Sequence, residues 1–128
     1  MKIMHGDVRE EIKKIKSNSV DCIVTSPPYW RLRDYGDNRQ FGLEETPAEF
    51  VKNICNIFDE CHRVLKDTGT LFVNLGDSYS NSNSTLGRRG FYKDVKDKIL
   101  KKTKCMAKKK SLVGIPAMFM IEMINRGW

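Results

Sequence analysis

The stretch that decides the fold is Cys22-Ile23-Val24-Thr25-Ser26-Pro27-Pro28-Tyr29. Its first half is a short apolar run without the alternation of a half-exposed strand, which predicts a strand buried in a parallel sheet. Its second half places a small polar residue, two prolines and an aromatic ring directly after that strand. Because open α/β sheets bind ligands at the carboxyl ends of their strands, residues 26–29 are predicted to form a pocket there.

Strands and helices alternate along the rest of the chain. The predicted order is strand 2–5, helix 8–16, strand 20–25, helix 47–65, strand 70–75 and helix 116–125. Thr46-Pro47-Ala48-Glu49 is a capping box with proline at the first helical position. The helix that it starts carries an apolar stripe for packing on a sheet, namely Val51, Ile54, Ile57, Phe58, Cys61, Val64 and Leu65. This order predicts an α/β fold with a parallel sheet and right-handed crossovers.

Length and composition exclude several classes of protein. A chain of 128 residues is long enough for one small domain. It has no apolar run of membrane-spanning length and no signal-peptide core near Met1, so we expect a cytoplasmic protein. The cysteines form no paired spacing that would hold a metal ion, and we expect reduced core thiols and no metal site. These cysteines are Cys22, Cys55, Cys61 and Cys105.

The net charge of +7 is concentrated in one segment. Residues 88–110 contain 11 of the 23 Lys and Arg residues and only two acidic residues, so the rest of the chain is slightly acidic. A basic segment on a near-neutral body favours a polyanionic partner, although a solvated insertion over 86–110 is the alternative. The candidate nucleic-acid contacts in this segment are Arg88, Arg89, Lys108, Lys109 and Lys110.

The residue types in 26–29 suit chemistry at the amino group of a nucleobase. Such an amine is a poor nucleophile until hydrogen-bond acceptors hold its N–H groups as positive charge develops. The Ser26 hydroxyl and the Pro27 carbonyl are the candidate acceptors, and the prolines fix their geometry. Tyr29 could stack on a base rotated out of a duplex. Trp30, Arg31 and Arg33 are predicted to line the mouth of this pocket near the DNA phosphates. The alternative is that residues 26–29 form an ordinary strand-to-loop turn.

Together these segments resemble the amino-methylating DNA methyltransferases, which act on cytosine N4 or adenine N6. Within this family, the chain is similar to the subgroup whose catalytic motif precedes its cofactor motif in the sequence. The matching segments are 6–7, 19–21, 25–36, 42–47, 63–66, 74–79, 112–116 and 127–128. The resemblance implies a partial Rossmann-like methyltransferase sheet that acts on double-stranded DNA with a flipped base. It also implies that residues 1–128 are the N-terminal part of a catalytic domain.

The resemblance assigns roles to individual residues. Ser26, Pro27, Pro28 and Tyr29 match the catalytic motif, and serine at its first position is more typical of cytosine-N4 enzymes. Adenine-N6 specificity stays open as the alternative. Asp7 and Thr25 match positions that bind S-adenosylmethionine, and Asp7 could at the same time cap the helix that follows it. Asn74, Gly76 and Asp77 match a further family segment, for which a turn with a local aspartate cap is the alternative.

One expected segment is missing from the sequence. The resembled subgroup carries a glycine-rich cofactor loop, whereas this chain contains no Gly-x-Gly. Without the strands that accompany this loop, strands 2–5 and 20–25 would leave a gap in the sheet or pair differently. We therefore expect a truncated or split methyltransferase that by itself binds S-adenosylmethionine weakly or not at all. A second chain carrying the loop and a non-catalytic DNA-binding remnant are the remaining alternatives.

Overall fold

The computed structural model describes residues 3–80 and 107–128. A short helix and a 3₁₀ turn precede the first strand, and a long helix connects it to the second. The elements are α1 (Val8–Glu11), a 3₁₀ helix (Ile12–Lys14), β1 (Val20–Thr25), α2 (Pro47–Val64), β2 (Leu65–Val73) and α3 (Ile115–Asn125). Within these described ranges, no helix combines the length and the hydropathy needed to cross a membrane.

The two strands form a parallel pair, as the alternation of strands and helices predicted. Val24 lies opposite Phe72 and Thr25 opposite Val73, and the register is irregular only between Val20 and Cys22. The Lys66 ammonium also bridges to the Asp21 carboxylate at 2.6 Å across the pair. Parallel strands need a long crossover connection, and α2 supplies it. The α/β class with a parallel sheet is therefore confirmed.

Helix α2 begins where the sequence predicted. The Thr46 hydroxyl accepts a hydrogen bond from the Glu49 amide at 3.1 Å, and the Glu49 carboxylate accepts one from the Thr46 amide at 3.0 Å. This reciprocal capping satisfies two backbone donors that an uncapped helix would leave open. The helix ends at Val64 because Leu65 is already extended, with a ψ of 145°. The chain thus passes from α2 into β2 without a loop.

The core lies between α2, the inner face of the strands and α3. All the predicted stripe residues of α2 are buried except Ile57, which is partly buried. Phe58 packs edge-on against Phe119 of α3, with 5.1 Å between ring centroids. Full burial of such a side chain stabilises the fold by about 1.5–3 kcal/mol. The Arg126 guanidinium donates to Asn56 at 3.0 Å and joins the end of α3 to α2.

Several predicted elements differ from the structure. Residues 3–5 form no strand, because within the described residues only β2 pairs with β1. The helix predicted over 8–16 changes to a 3₁₀ helix at Ile12, and β2 begins five residues earlier than expected and ends two residues earlier. Lys2, Arg88, Arg89, Cys105 and most of the predicted insertion lie outside the described residues.

The cysteines divide into two groups. Cys55 and Cys61 are buried in α2, and burial raises the pKa of each thiol to about 11. Cys22 is exposed, so the prediction that it is a core thiol is wrong. The reason is that Cys22 shares the side of β1 that faces away from α2.

Arg63 connects α2 to the segment before β1. Its guanidinium donates to the Ile12 carbonyl at 3.1 Å and to the Ile15 carbonyl and the Ser17 hydroxyl, each at 3.0 Å. It also donates to Glu60 at 2.7 Å on its own helix. One side chain therefore supplies a donor to the Ile15 carbonyl and a second donor to the Ile12 carbonyl, which also accepts from the Ile15 amide at 3.1 Å.

We expect Arg63→Ala to destabilise the fold by about 1–3 kcal/mol, because it removes the partner of the part-buried Ile15 carbonyl and one of the two donors to the Ile12 carbonyl. Urea denaturation followed by circular dichroism measures this change. Arg39→Ala is the matched control, since Arg39 pairs locally with exposed Asp37, and it should leave the unfolding free energy nearly unchanged. Equal effects of the two substitutions would contradict this role of Arg63.

Candidate active site

Two loops meet at the carboxyl edge of the strand pair. Residues 26–29 follow β1 directly and residues 74–78 follow β2. The Asn74 amide donates to the Thr25 carbonyl at 2.9 Å, which continues the parallel pairing one step beyond the strands. The predicted catalytic segment and the family segment at 74–77 are therefore neighbours in space.

The Tyr29 ring lies against the backbone of Gly76. A Cβ atom at Gly76 would stand 2.6 Å from Cε2 of the ring, so only glycine allows this approach. On the other side, a Cβ at Gly42 would stand 2.8 Å from the Tyr29 carbonyl, and Gly42 has a left-handed φ of 98°. The Arg31 amide also donates to the Gly42 carbonyl at 2.7 Å. Two glycines thus fix the position of Tyr29.

Trp30 is an anchor of this loop. Its side chain is only 3% exposed and belongs to the hydrophobic core. Its indole Nε1 donates to the Glu44 carbonyl at 3.1 Å, and its own carbonyl accepts a hydrogen bond from the Ser78 hydroxyl at 2.9 Å. The structure therefore places Trp30 beneath the site, whereas the sequence predicted it at the mouth.

The candidate acceptor groups remain accessible. Ser26 is exposed, and Pro27 and Pro28 are half-buried. No other residue in the described ranges donates a hydrogen bond to the Ser26 hydroxyl or to the Pro27 carbonyl. Both oxygens can therefore accept hydrogen bonds from a bound amine, and their role in catalysis stays a prediction.

Asp77 links the site to α3, a contact that the sequence alone did not reveal. Its carboxylate accepts hydrogen bonds from the Gly114 amide at 2.9 Å and the Ile115 amide at 3.0 Å. It also accepts one from the Ser78 amide at 2.8 Å. Gly114 has no side chain to cap α3, so Asp77 caps this helix from 37 residues away. The sequence signal for this contact was Gly114 itself, because a glycine at the start of a helix has no side chain to cap it.

Apart from Trp30, the predicted DNA contacts that the structure describes lie in the loop after β1 and at residues 108–110, before α3. Arg33 is exposed, and Arg31 is half-buried with its guanidinium 5.6 Å from the centre of the Trp30 ring. Lys108, Lys109 and Lys110 are exposed. The Ser80 amide donates to the Ser111 carbonyl at 2.8 Å, which joins the end of the basic segment to the loop after β2.

Asp7 is engaged by its neighbour Arg9. Its carboxylate caps α1 by accepting from the Arg9 amide at 3.0 Å, as the sequence allowed, and it also accepts from the Arg9 guanidinium. The guanidinium hydrogen bonds lower the pKa of Asp7 to about 2. The Asp7 carboxylate is thus already paired with Arg9, Thr25 has a half-buried side chain, and the role of both residues toward S-adenosylmethionine stays a prediction.

A cavity of about 560 Å³ lies beside Arg9, between the 3₁₀ helix, the 38–44 loop and α2. Its walls combine cationic, amide and apolar side chains, including Lys13, Arg39, Asn53, Asn56, Phe41 and Ile57. None of the lining residues belongs to the 26–29 segment. This cavity is therefore separate from the predicted acceptor groups.

A family model described as DNA methylase, of the N6/N4 type, matches residues 20–122. This chain belongs to the DNA methylase family. The type II methyltransferase M.SmaI of Serratia marcescens is 38% identical over 136 residues, which cover 99% of this chain and 44% of that relative. M.Cfr9I of Citrobacter freundii is 40% identical over 132 residues, which cover 98% of this chain and 42% of the relative.

This DNA methylase chain spans less than half the length of these two relatives. A shorter match, 41% identical over 73 residues, is the DNA adenine methyltransferase YhdJ of Escherichia coli (strain K12); it covers 56% of this chain and 23% of the relative. No solved structure matches the chain. The family assignment confirms the resemblance, and the parallel strands with their helices are part of the methyltransferase α/β fold.

We expect Gly76→Ala to destabilise this DNA methylase chain by about 1–3 kcal/mol, because the new methyl group would overlap the Tyr29 ring. Tyr29→Ala removes the obstacle, so adding Gly76→Ala to that variant should cost much less. A double-mutant cycle of urea denaturation measures the coupling. Additive costs would show that Gly76 does not determine where Tyr29 lies.

We also expect a carboxyl-carbon NMR titration to give Asp7 a pKa of about 2, and Arg9→Gln to move it back toward 3.8. Because the folded pKa is lowered, the stabilisation is present above the unfolded pKa and is lost as the pH falls from about 4 toward 2. Lys13→Gln is the control, since Lys13 pairs with Glu10. An Asp7 pKa that Arg9→Gln leaves unchanged would refute this pairing.

Proposed function

We propose that this chain is the N-terminal, base-binding part of a DNA methyltransferase catalytic domain. The complete enzyme would transfer a methyl group from S-adenosylmethionine to the exocyclic N4 of cytosine in duplex DNA. The observation that carries the proposal is the accessible Ser26-Pro27-Pro28-Tyr29 segment, which directly follows β1 at the carboxyl edge of a parallel pair.

The proposed mechanism uses the acceptor groups of this segment. The target base leaves the duplex and stacks on Tyr29, which is the general solution for enzymes that modify a base atom. The Ser26 hydroxyl and the Pro27 carbonyl accept hydrogen bonds from the two amino protons. The nitrogen would form its bond to the methyl carbon as the bond from that carbon to the sulfonium sulfur of the donor breaks, leaving a neutral thioether. Positive charge develops on the amine, these preorganised oxygens stabilise it, and one amino proton is then lost to solvent.

The preference for cytosine rests on one residue. Ser26 stands at the first position of the motif, where cytosine-N4 enzymes typically have serine. The second candidate is an adenine-N6 methyltransferase, and the similarity to YhdJ, a DNA adenine methyltransferase, favours it. Both reactions would use the same acceptor geometry, because both bases present an exocyclic amine.

Charge supports DNA as the substrate. Arg33 follows the 26–29 segment along the chain, the Lys110 amide donates to the Ser80 carbonyl in the loop after β2, and Arg33, Lys108, Lys109 and Lys110 are all exposed. Such side chains contact phosphates and give binding a steep dependence on salt. We propose that they hold the duplex while the target base enters the pocket.

The test supplies this chain with the part of M.SmaI that has no counterpart in it, together with unmethylated DNA and labelled S-adenosylmethionine. We expect N4-methylcytosine when the DNA is digested to nucleosides and analysed by mass spectrometry. Ser26→Ala should lower the rate by about 10²-fold. Ser19→Ala is the matched control, because Ser19 lies at the opposite end of β1 and should leave the rate unchanged.

Two other results would overturn the proposal in different ways. N6-methyladenine in the digest would establish the adenine reaction. Salt-dependent DNA binding without methyl incorporation, measured while the added M.SmaI part is bound, would favour a non-catalytic DNA-binding remnant.

A further inference from the structure

The turn that begins at Tyr29 has an unfavourable backbone conformation. The Leu32 amide donates to the Tyr29 carbonyl at 3.3 Å, which closes a four-residue turn. Arg31, the third residue of this turn, has a left-handed φ of 58°, and Trp30 before it does not. A type II turn needs this conformation at its third residue, and glycine usually supplies it because a side chain disfavours it. Since this chain has arginine there, the turn depends on contacts with the surrounding structure.

Hydrogen bonds hold both ends of the peptide unit at the centre of the turn. This unit joins Trp30 to Arg31, and its N–H donates to the Gly42 carbonyl at 2.7 Å. Its carbonyl oxygen accepts a hydrogen bond from the Ser78 hydroxyl at 2.9 Å. Turns of types I and II differ mainly in the orientation of this central peptide. Rotation into the type I form, which suits an arginine better, would therefore break both hydrogen bonds.

Ser78 acts on this turn from a backbone that is itself held in place. Its amide donates to the Asp77 carboxylate at 2.8 Å, and its carbonyl accepts a hydrogen bond from the Val113 amide at 2.9 Å. The Gly42 contact with the turn is made by backbone atoms, whereas the Ser78 contact is made by a side chain that a substitution can remove. The Ser78 hydroxyl thus connects the loop after β2 to the loop after β1.

The turn and the Tyr29 ring rest on the same loop. Tyr29 is the first residue of the turn, and its ring lies so close to Gly76 that a Cβ atom there would stand 2.6 Å from Cε2 of the ring. Gly76 lies two residues before Ser78. Ring contact at Gly76 and the Ser78 hydrogen bond therefore fix the two sides of one turn. Without the hydroxyl, the central peptide could rotate and the ring could leave Gly76.

We propose that Ser78 is a positioning residue for the base-stacking ring of Tyr29. This inference rests on the proposed function. The Ser78 hydroxyl holds the central peptide of the turn, and the turn keeps the ring where the target base would stack. Ser78 would act through Tyr29 and not on a reacting atom. Its loss should therefore slow methyl transfer, which depends on alignment, more than it weakens binding of the duplex, which depends on contacts with phosphates.

Ser80 provides a matched control for this role. Its side chain is half-buried like that of Ser78, and its hydroxyl also donates to a carbonyl, that of Ala107, at 2.7 Å. This hydrogen bond joins the loop after β2 to the residues before α3 instead of to the turn. The variants Ser78→Ala and Ser80→Ala thus remove the same group two positions apart. A general loosening of the loop after β2 would make their effects equal.

Two further variants separate the hydroxyl from the volume of the side chain. Ser78→Thr keeps the hydroxyl and should preserve the position of Tyr29. Ser78→Cys keeps the volume but has only a weak donor, so it should behave as Ser78→Ala does. It also serves as the test variant where the alanine substitution unfolds the chain, which the helical circular dichroism signal shows.

The first measurement uses the full chain by itself and needs no methyl transfer. The chemical shifts of the Gly76 α-protons report the neighbouring aromatic ring through its ring current, and Tyr29→Leu gives their values without the ring. We expect Ser78→Ala to lose most of this difference, whereas Ser80→Ala and Ser78→Thr retain it. The full difference in Ser78→Ala, or an equal loss in Ser80→Ala, would overturn the proposal.

The second measurement uses the mixture of this chain with the part of M.SmaI that has no counterpart in it. We expect Ser78→Ala to lower kcat at least about tenfold, because a small misplacement near the reacting groups is costly. KM for DNA should change by less than about twofold. Ser78→Thr should restore kcat, and Ser80→Ala should leave it unchanged. A loss confined to KM, or no restoration by threonine, would contradict the positioning role.

The two proposals fail in distinguishable ways. Loss of the Gly76 shift difference in Ser78→Ala, with no methylation by the unsubstituted mixture, would support the hold of Ser78 on Tyr29 and count against the proposed function. Methylation by the unsubstituted mixture that Ser78→Ala leaves unchanged would support the function and overturn the positioning role.

Discussion

The parallel pairing of Val20–Thr25 with Leu65–Val73 is the constraint on which the candidate site depends. Parallel strands end at the same edge, so the pairing brings the loop at 26–29 against the loop at 74–78. Helix α2 makes this possible, because its length spans the return path and its apolar stripe covers the inner face of the strands. The candidate site predicted from a single strand therefore lies at the ends of two strands.

Beyond the strands, small groups of contacts hold the site in place. Gly76 and Gly42 leave room for Tyr29 on two sides, and Trp30 fixes the same loop from within the core. Asp77 caps α3, so the loop that supports Tyr29 is also tied to the last helix. Polar and apolar contacts thus converge on one loop, while Ser26 at its start remains exposed. This division between a fixed aromatic ring and open acceptor oxygens suits a pocket that admits a flat, amine-bearing ring.

This chain contains the candidate groups that would bind the methyl-accepting base but few of those that would bind the methyl donor. The described acceptor groups have no competing partners. On the donor side, the Asp7 carboxylate is paired with Arg9, and the sequence has no Gly-x-Gly.

Local signals in the sequence determined much of this molecule. The capping box at Thr46, the stripe of α2 and the apolar runs of both strands correctly predicted where the main elements lie, because helix capping and periodicity act over a few residues. The Ser-Pro-Pro-Tyr segment likewise indicated the family. Only the tertiary structure decided that Trp30 lies in the core, that Cys22 is exposed, that residues 3–5 form no strand and that Asp77 caps α3. Each of these depends on which distant segment packs against the residue, and burial and pairing partners are properties of the assembled fold rather than of a local stretch of chain.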